Sequence, residues 1–282
     1  MAAMQETGWA KINLALHIRA RRSDGYHAIE TLFAFVDDGD AIDAEEAGAD
    51  ALTIDGEFAA GLSAGGDNLV LRVLALLRER YGAARVPPLT IRLTKRLPVA
   101  AGIGGGSADA AAMARLVRRH FLPELGDATL ARLAGSLGAD IAACVASATC
   151  LGVGVGEELS PVPELPLGGT PVLLVNPGQP VATGPVFAAW DGVDRGPLFT
   201  GPDLRAQLFA SCNDLQRPAT AQCPAIVDVL TELGALKPWL ARMSGSGATC
   251  FALFDAPAER DAAALALAKR HPAWWQMAGT LR

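Results

Sequence analysis

The stretch that most constrains this chain is Pro98-Val-Ala-Ala-Gly-Ile-Gly-Gly-Gly-Ser-Ala-Asp109, a glycine-rich loop that runs directly into an alanine-rich segment. Gly102, Gly104, Gly105 and Gly106 have no Cβ, so the backbone can turn sharply there and approach a ligand closely. Ser107 suits an N-cap, and the pattern predicts a helix over 109–120. Arg115, Arg118, Arg119 and His120 fall late in it, where cations suit the dipole. A glycine-flanked helix N-terminus offers free N–H groups and positive potential to an anion, and a phosphate-bearing ligand fits. An ordinary loop ahead of a surface helix satisfies the same residues.

Familiar phosphate motifs do not match. No Gly-x-x-x-x-Gly-Lys followed by Ser or Thr occurs, which disfavours a P-loop NTPase. Gly102-x-Gly104 meets Ser107 where a dinucleotide fold needs its third glycine, and Gly152-x-Gly154 meets Glu157. Asp109 breaks the Gly-x-Ser-x-Gly nucleophile elbow around Ser107. His-Glu-x-x-His, paired Cys-x-x-Cys and EF-hand patterns are absent, so no protein-built metal site is expected.

Of the 282 residues, 51% are hydrophobic and 19% charged, which is globular composition, and the net charge is −6. That balance excludes a basic nucleic-acid footprint but not a nucleotide, whose few phosphates need only a local cradle. Cys144, Cys150, Cys212, Cys223 and Cys250 are scattered and odd in number, reading as reduced, inert thiols. The first residues carry no basic-then-apolar signal pattern. Residues 165–190 lack charge, but Pro166, Pro171, Pro177, Pro180 and Pro185 interrupt them too often for a spanning helix. We therefore expect a soluble, cytoplasmic protein with no membrane or nucleic-acid partner, a monomer or weak homodimer.

Strands are predicted over 10–18, 30–35, 41–44, 89–93, 172–175 and 249–254. Helices are predicted over 69–80 with Asp67-Asn68 as cap, 128–137, 202–211, 224–233 and 257–270, the last three each opening on a proline. Strands and helices mix without strict alternation, so the class is α+β. The proline-rich stretch 161–171 marks a boundary, dividing the chain into 1–160 and 161–282.

Three features occur in order: Ala10-Lys11-Ile-Asn13-Leu with Asp24-Gly-Tyr26-His27; the glycine loop with Gly138-Ala-Asp140 downstream; and Ser244-Gly-Ser-Gly-Ala248. The set resembles the GHMP small-molecule kinases, named for galactose, homoserine, mevalonate and phosphomevalonate. The resemblance covers residues 10–255. Arg22-Ser-Asp-Gly-Tyr-His27 and Leu32-Phe-x-Phe-x-Asp-x-Gly-Asp40 narrow it to a branch whose small-molecule substrate is a cytidine-diphosphate-linked methylerythritol, in isoprenoid precursor synthesis by the non-mevalonate route. It implies a two-domain α+β fold, with a ribosomal-protein-S5-like, ATP-binding N-terminal domain (1–160) and a ferredoxin-like, substrate-side C-terminal domain (161–282).

The resemblance further implies ATP and Mg²⁺, with Asp140 as catalytic base and Lys11 as its charge partner. Pro98, Val99, Ala100, Ala101, Gly102, Ile103, Gly104, Gly105, Gly106, Ser107 and Ala108 would bind the nucleotide, Ser107 also as a ligand to the metal. Asn13, Tyr26, His27, Thr183 and Phe187 would bind the substrate: Tyr26 stacks on the base, His27 bonds its edge and Phe187 covers it. A carboxylate that accepts an alcohol's proton and an ammonium that offsets phosphoryl charge suit this chemistry. On residue pattern alone, Lys11 reads first as a solvated strand-end lysine, Asp140 as a cap ahead of Ile141, Tyr26 as a turn aromatic packed on a strand and His27 as a solvated side chain. Ala100, Ala101, Ala108 and Ala142 depart from the family pattern, each as a small residue.

Overall fold

The computed structural model describes residues 4–162, 167–198 and 203–282. Contacts divide the chain into two compact units, one of residues 1–10, 38–99 and 104–147, the other of 11–37, 100–103 and 148–282.

In the first unit lie the opening residues of β1 (Met4–Arg21) and the end of β2 (His27–Glu46). There β3 (Ala51–Asp55) runs parallel to β4 (Leu89–Thr94), which pairs antiparallel with 41–46 of β2. The helices are α1 (Leu69–Tyr81), α2 (Gly105–Phe121), α3 (Asp127–Gly135) and α4 (Ala139–Ala146). Asn68 caps α1 through its side chain, which accepts from Val70 N at 2.9 Å. Val70, Val73, Leu74 and Leu77 give α1 a buried stripe. In α2, Ala108, Ala110, Ala111, Ala112, Met113, Ala114, Leu116 and Val117 are all buried, and their mostly small side chains let α1 and α4 pack closely.

The second unit holds β5 (Cys150–Val153), paired antiparallel with 31–33 of β2, and β6 (Glu158–Pro161), its hairpin partner. A separate antiparallel sheet has the order β10 (Trp275–Thr280), β7 (Pro171–Asn176), β9 (Cys250–Leu253), β8 (Leu240–Met243). With α8 (Ala225–Ala235) and α9 (Pro257–Arg270) it traces the βαββαβ path expected of a ferredoxin-like half. Three short helices, α5 (Thr183–Ala188), α6 (Leu204–Ala210) and α7 (Gln216–Gln222), fall between β7 and α8. Its core joins Leu173, Val175, Cys250 and Ala252 to Ile226, Val229, Leu233 and Leu267. The α+β class holds in both units.

The two strands predicted over 30–35 and 41–44 are one continuous strand, β2. Residues 36–40, between the two predicted strands, continue the strand: a Cβ on Gly39 would lie 2.0 Å from Gly8 O, so glycine admits the neighbouring backbone while the Asp40 side chain is buried. Ser107 is not an N-cap. Gly104 takes that place in the left-handed region (φ 67°), which brings the helix start forward to Gly105 and leaves Ser107 inside the first turn. Asp140 likewise lies inside the first turn of α4, after Gly138, and does not precede it. The proline expected to open the helix at 202 lies outside the described residues, as do 163–166 of the expected boundary; the helix itself is capped by Asp203, which accepts from Ala206 N at 3.0 Å. Pro257 does open α9, whereas Pro224 precedes α8 as its N-cap. Among the described residues no helix is long and apolar enough to cross a membrane. None of the five cysteines, all among the described residues, forms a disulfide, and burial raises the thiols of Cys150 and Cys212 to about 11.

Candidate active site

In the second unit, β1 presents Lys11 and Asn13 on one face, two residues apart. Lys11 Nζ donates to Asn13 Oδ1 at 3.0 Å and lies 5.1 Å from the centre of the Phe33 ring. Both polar residues are buried. Asn13 Nδ2 donates to Thr31 Oγ1 at 2.8 Å, and that hydroxyl donates on to Ala15 O at 2.7 Å. The Asn13 amide is thereby fixed with its oxygen toward the ammonium. The structure thus joins two of the residues read from the sequence and rejects the solvated-lysine alternative.

Ser244 ties this strand to the glycine loop. Its Oγ accepts from Asn13 N at 3.1 Å and donates to Gly102 O at 2.8 Å. Ile103 O accepts from Lys11 N at 3.1 Å and Ala101 O from Thr249 N at 3.1 Å, so three successive loop carbonyls are committed. Ala100, Gly102 and Gly104 all have positive φ (51°, 76° and 67°). At Gly102 only glycine fits, since a Cβ there would meet Ser244 O at 2.3 Å. Ala100 adopts without glycine a conformation that costs a non-glycine residue about 1–2 kcal/mol, which is the consequence of its departure from the family pattern.

A second group in the same unit is aromatic. Tyr26, at the tip of the 22–26 turn, is 64% exposed and so free to stack on a planar ligand. His27 and Phe187 rings are 5.3 Å apart, and Trp190 meets His27 edge-on at 5.9 Å. Burial and then Arg21 lower the His27 pKa, which leaves a neutral imidazole at pH 7. His27 Nε2 and Trp190 Nε1 are both buried without a hydrogen-bond partner among the described residues. Thr183 Oγ1 lies 2.9 Å from Ser246 Oγ, so this predicted contact residue is placed beside the small-residue turn.

In the first unit, α2 begins where the loop ends. Its first intrahelical bond is Ala108 N to Gly104 O at 2.8 Å, so the N–H groups of Gly105, Gly106 and Ser107 precede the ladder and remain first-turn donors for an anion. Asp140 occupies the first turn of α4, partly exposed, where a carboxylate suits the helix dipole. Beneath the start of α2 lies a buried triad of Lys95, Asp40 and Asp109. Burial opposes the Lys95 charge, but Asp109 and Asp40 outweigh it and raise the pKa. Burial, against the pull of Lys95, drives the Asp109 carboxyl well above the usual aspartate range.

Sequence reading passed over several residues that shape these sites. Arg242, buried on β8, donates to Leu14 O, Leu208 O, and Ser211 O and Oγ at 2.6–3.1 Å, and burial pulls its pKa down to about 10. Asn213 Nδ2 donates to Met243 O and Gly245 O, each at 2.8 Å, and so shapes the Ser244 turn. The polar run Ser211-Cys-Asn-Asp214 inside apolar sequence was the available signal.

The family model for the GHMP kinases N terminal domain matches residues 68–148, and that for GHMP kinases C terminal matches 201–273. A 4-diphosphocytidyl-2-C-methyl-D-erythritol kinase of Sphingopyxis alaskensis is 77% identical over 281 residues, covering 100% of this chain and 99% of its own. A solved 4-(cytidine 5'-diphospho)-2C-methyl-D-erythritol kinase superposes with a TM-score of 0.80 at 32% identity, covering 99% of each chain. A homoserine kinase from Cytophaga hutchinsonii shares the fold at 16% identity and a TM-score of 0.74, covering 100% of this chain and 95% of that one.

Proposed function

Since the chain belongs to the GHMP kinases, we propose that it catalyses ATP-dependent phosphorylation of the 2-hydroxyl of 4-diphosphocytidyl-2-C-methyl-D-erythritol, giving the 2-phosphate and ADP. The geometric observation that carries this substrate is the aromatic group of His27, Phe187 and Trp190, with the exposed Tyr26 next to His27 in the chain. A homoserine or mevalonate has no base to place there. An indole N–H is a donor only, and a neutral imidazole supplies a donor or an acceptor at Nε2. Together they suit a cytosine edge, with its ring nitrogen and carbonyl acceptors and its amino donor. Tyr26 stacks on the base, Phe187 covers it and Thr183 adds a polar contact.

On this reading Asp140 accepts the 2-hydroxyl proton as the oxygen–phosphorus bond forms and the bond to ADP breaks, in line and without a phosphoenzyme. Lys11 offsets the developing phosphoryl charge, and Asn13 orients Lys11 and the methylerythritol end. The loop from Pro98 to Ala108 holds the ATP phosphates on the first-turn N–H groups of α2. Among the described residues no group of three His, Cys, Asp or Glu side chains is placed to hold a metal. Ser107 Oγ, in the first turn of α2, would hold Mg²⁺ together with the ATP phosphates, and the ion would neutralise phosphate charge. The two matched family segments fall on either side of residue 160, in keeping with a nucleotide-side portion 1–160 and a substrate-side portion 161–282. The protein acts in the cytoplasm, as a monomer or weak homodimer.

The test is ADP release by Asp140→Asn and Lys11→Met proteins of unchanged circular dichroism. Each should lose about 10²-fold or more in kcat. Near-normal turnover of Asp140→Asn would remove Asp140 from the role of base.

A further inference from the structure

Lys95 Nζ donates to Asp40 Oδ2 and, at 2.7 Å, to Asp109 Oδ2. All three side chains are buried, Asp40 at 0% exposure. Asp40 Oδ1 accepts from Arg96 N at 2.6 Å and Leu97 N at 2.9 Å, the two residues that lead into Pro98. Asp109 stands at the other end of the glycine loop, in α2 just past Ser107. One ammonium therefore joins the entry of the loop, through Asp40, to its exit, through Asp109. Its own backbone is held as well, Lys95 N donating to Asp55 O at 2.7 Å. The triad lies directly under the first residue of α2: a Cβ built on Gly105 would be 3.5 Å from Lys95 Nζ and 3.8 Å from Asp40 Oδ2.

Three buried ionisable side chains are an expensive arrangement, and apolar residues of similar volume commonly do the same packing as well or better. The Asp109 carboxyl bonds Lys95 through one oxygen and leaves Oδ1 without a hydrogen-bond partner among the described residues, which a device optimised for stability alone would satisfy. What the triad supplies that an apolar plug would not is direction. A charge-assisted bond fixes the ends of the loop relative to one another, whereas apolar packing tolerates sliding. The donors most sensitive to such sliding are the N–H groups of residues 105–107, whose value to an anion depends on their convergence.

We propose that Lys95, clamped between Asp40 and Asp109, is a positioning residue that pins both ends of the glycine loop and thereby sets the affinity for the nucleotide. The proposal depends on the reading that this loop takes the ATP phosphates. Lys95 is neutralised by its partners and acts through the loop backbone, not by touching phosphate.

The experiment compares Lys95→Met, Asp109→Ala and Asp109→Asn in the full chain, reading KM for ATP, KM for the alcohol substrate, Kd for ADP and Tm. Lys95→Met and Asp109→Ala should raise KM for ATP and Kd for ADP by about tenfold or more, with KM for the alcohol within about twofold. Asp109→Asn keeps an acceptor for Lys95 and should stay within about threefold of wild type in ADP affinity. A lower Tm with unmoved ADP affinity, or equal rises in both KM values, would overturn the proposal. If Lys95→Met gives no folded protein, the Asp109 pair decides: equal ADP affinities in Asp109→Ala and Asp109→Asn refute it. Wild-type protein that binds no ADP would bring down the nucleotide reading itself and this proposal with it.

Discussion

Lys11 and Asn13 stand on one face of β1, joined by an Nζ–Oδ1 hydrogen bond of 3.0 Å in a buried setting. The amide is held from behind by Thr31 and its own backbone N–H by Ser244, so the ammonium is aimed by a chain of fixed dipoles. Removing Asn13 therefore disturbs the direction of a charge before it disturbs the fold. We expect Asn13→Ala to cut kcat by about 10²-fold with KM for ATP little changed. Initial-rate kinetics in both substrates check this, and a change confined to KM for ATP would contradict it.

Trp190 presents an indole N–H that has no partner among the described residues. Trp190→Phe keeps an aromatic ring against His27 while deleting that donor. If the indole bonds the base, KM for the cytidylated alcohol should rise about tenfold, the loss of one buried hydrogen bond, with KM for ATP unaltered. An unchanged KM would assign Trp190 to packing alone.

The raised pKa of Asp109 has a signed consequence for stability. Above the ordinary aspartate value of 3.8, the folded protein holds a proton there that the unfolded chain has lost. Wild-type stability at this site is therefore fully present below that value and falls as pH rises through the raised folded pKa. Asn does not titrate. The Tm of Asp109→Asn minus that of wild type should grow as pH rises above 3.8, as read by thermal melts; a difference independent of pH would contradict the shift. Lys95, raised above 10.5, adds its own loss only in alkali.

Gly102 combines φ 76° with a Cβ position 2.3 Å from Ser244 O. Gly102→Ala must displace one of two backbones and should cost about 3 kcal/mol of stability or more. Denaturant melts measure it, and a loss below about 1 kcal/mol would mean that the loop relaxes freely.

Much of this was legible in the sequence because it is local. The glycine loop, the α1 cap at Asn68 and the Lys11–Asn13 pair are each written within a few residues. Local signals also misled where geometry ran against them: Ser107 looks like a cap because Gly104 carries no side chain to announce its left-handed turn, and residues 36–40 went unassigned between two predicted strands because the burial of Asp40 is invisible in sequence. The Lys95–Asp40 pair spans 55 positions and the Arg242–Leu14 contact 228, so nothing in a single sequence joins them. Strands β3, β5, β6, β8 and β10 and helices α4, α5 and α7 went unread because each is short and takes its stability from neighbours distant in the chain.

The most direct test is an ADP-release assay with purified protein, ATP and Mg²⁺, offering 4-diphosphocytidyl-2-C-methyl-D-erythritol, homoserine and mevalonate in parallel. Turnover with the cytidylated alcohol alone is the expected result. Turnover with homoserine or mevalonate, or none with the cytidylated alcohol from protein that binds ATP, would contradict the assignment.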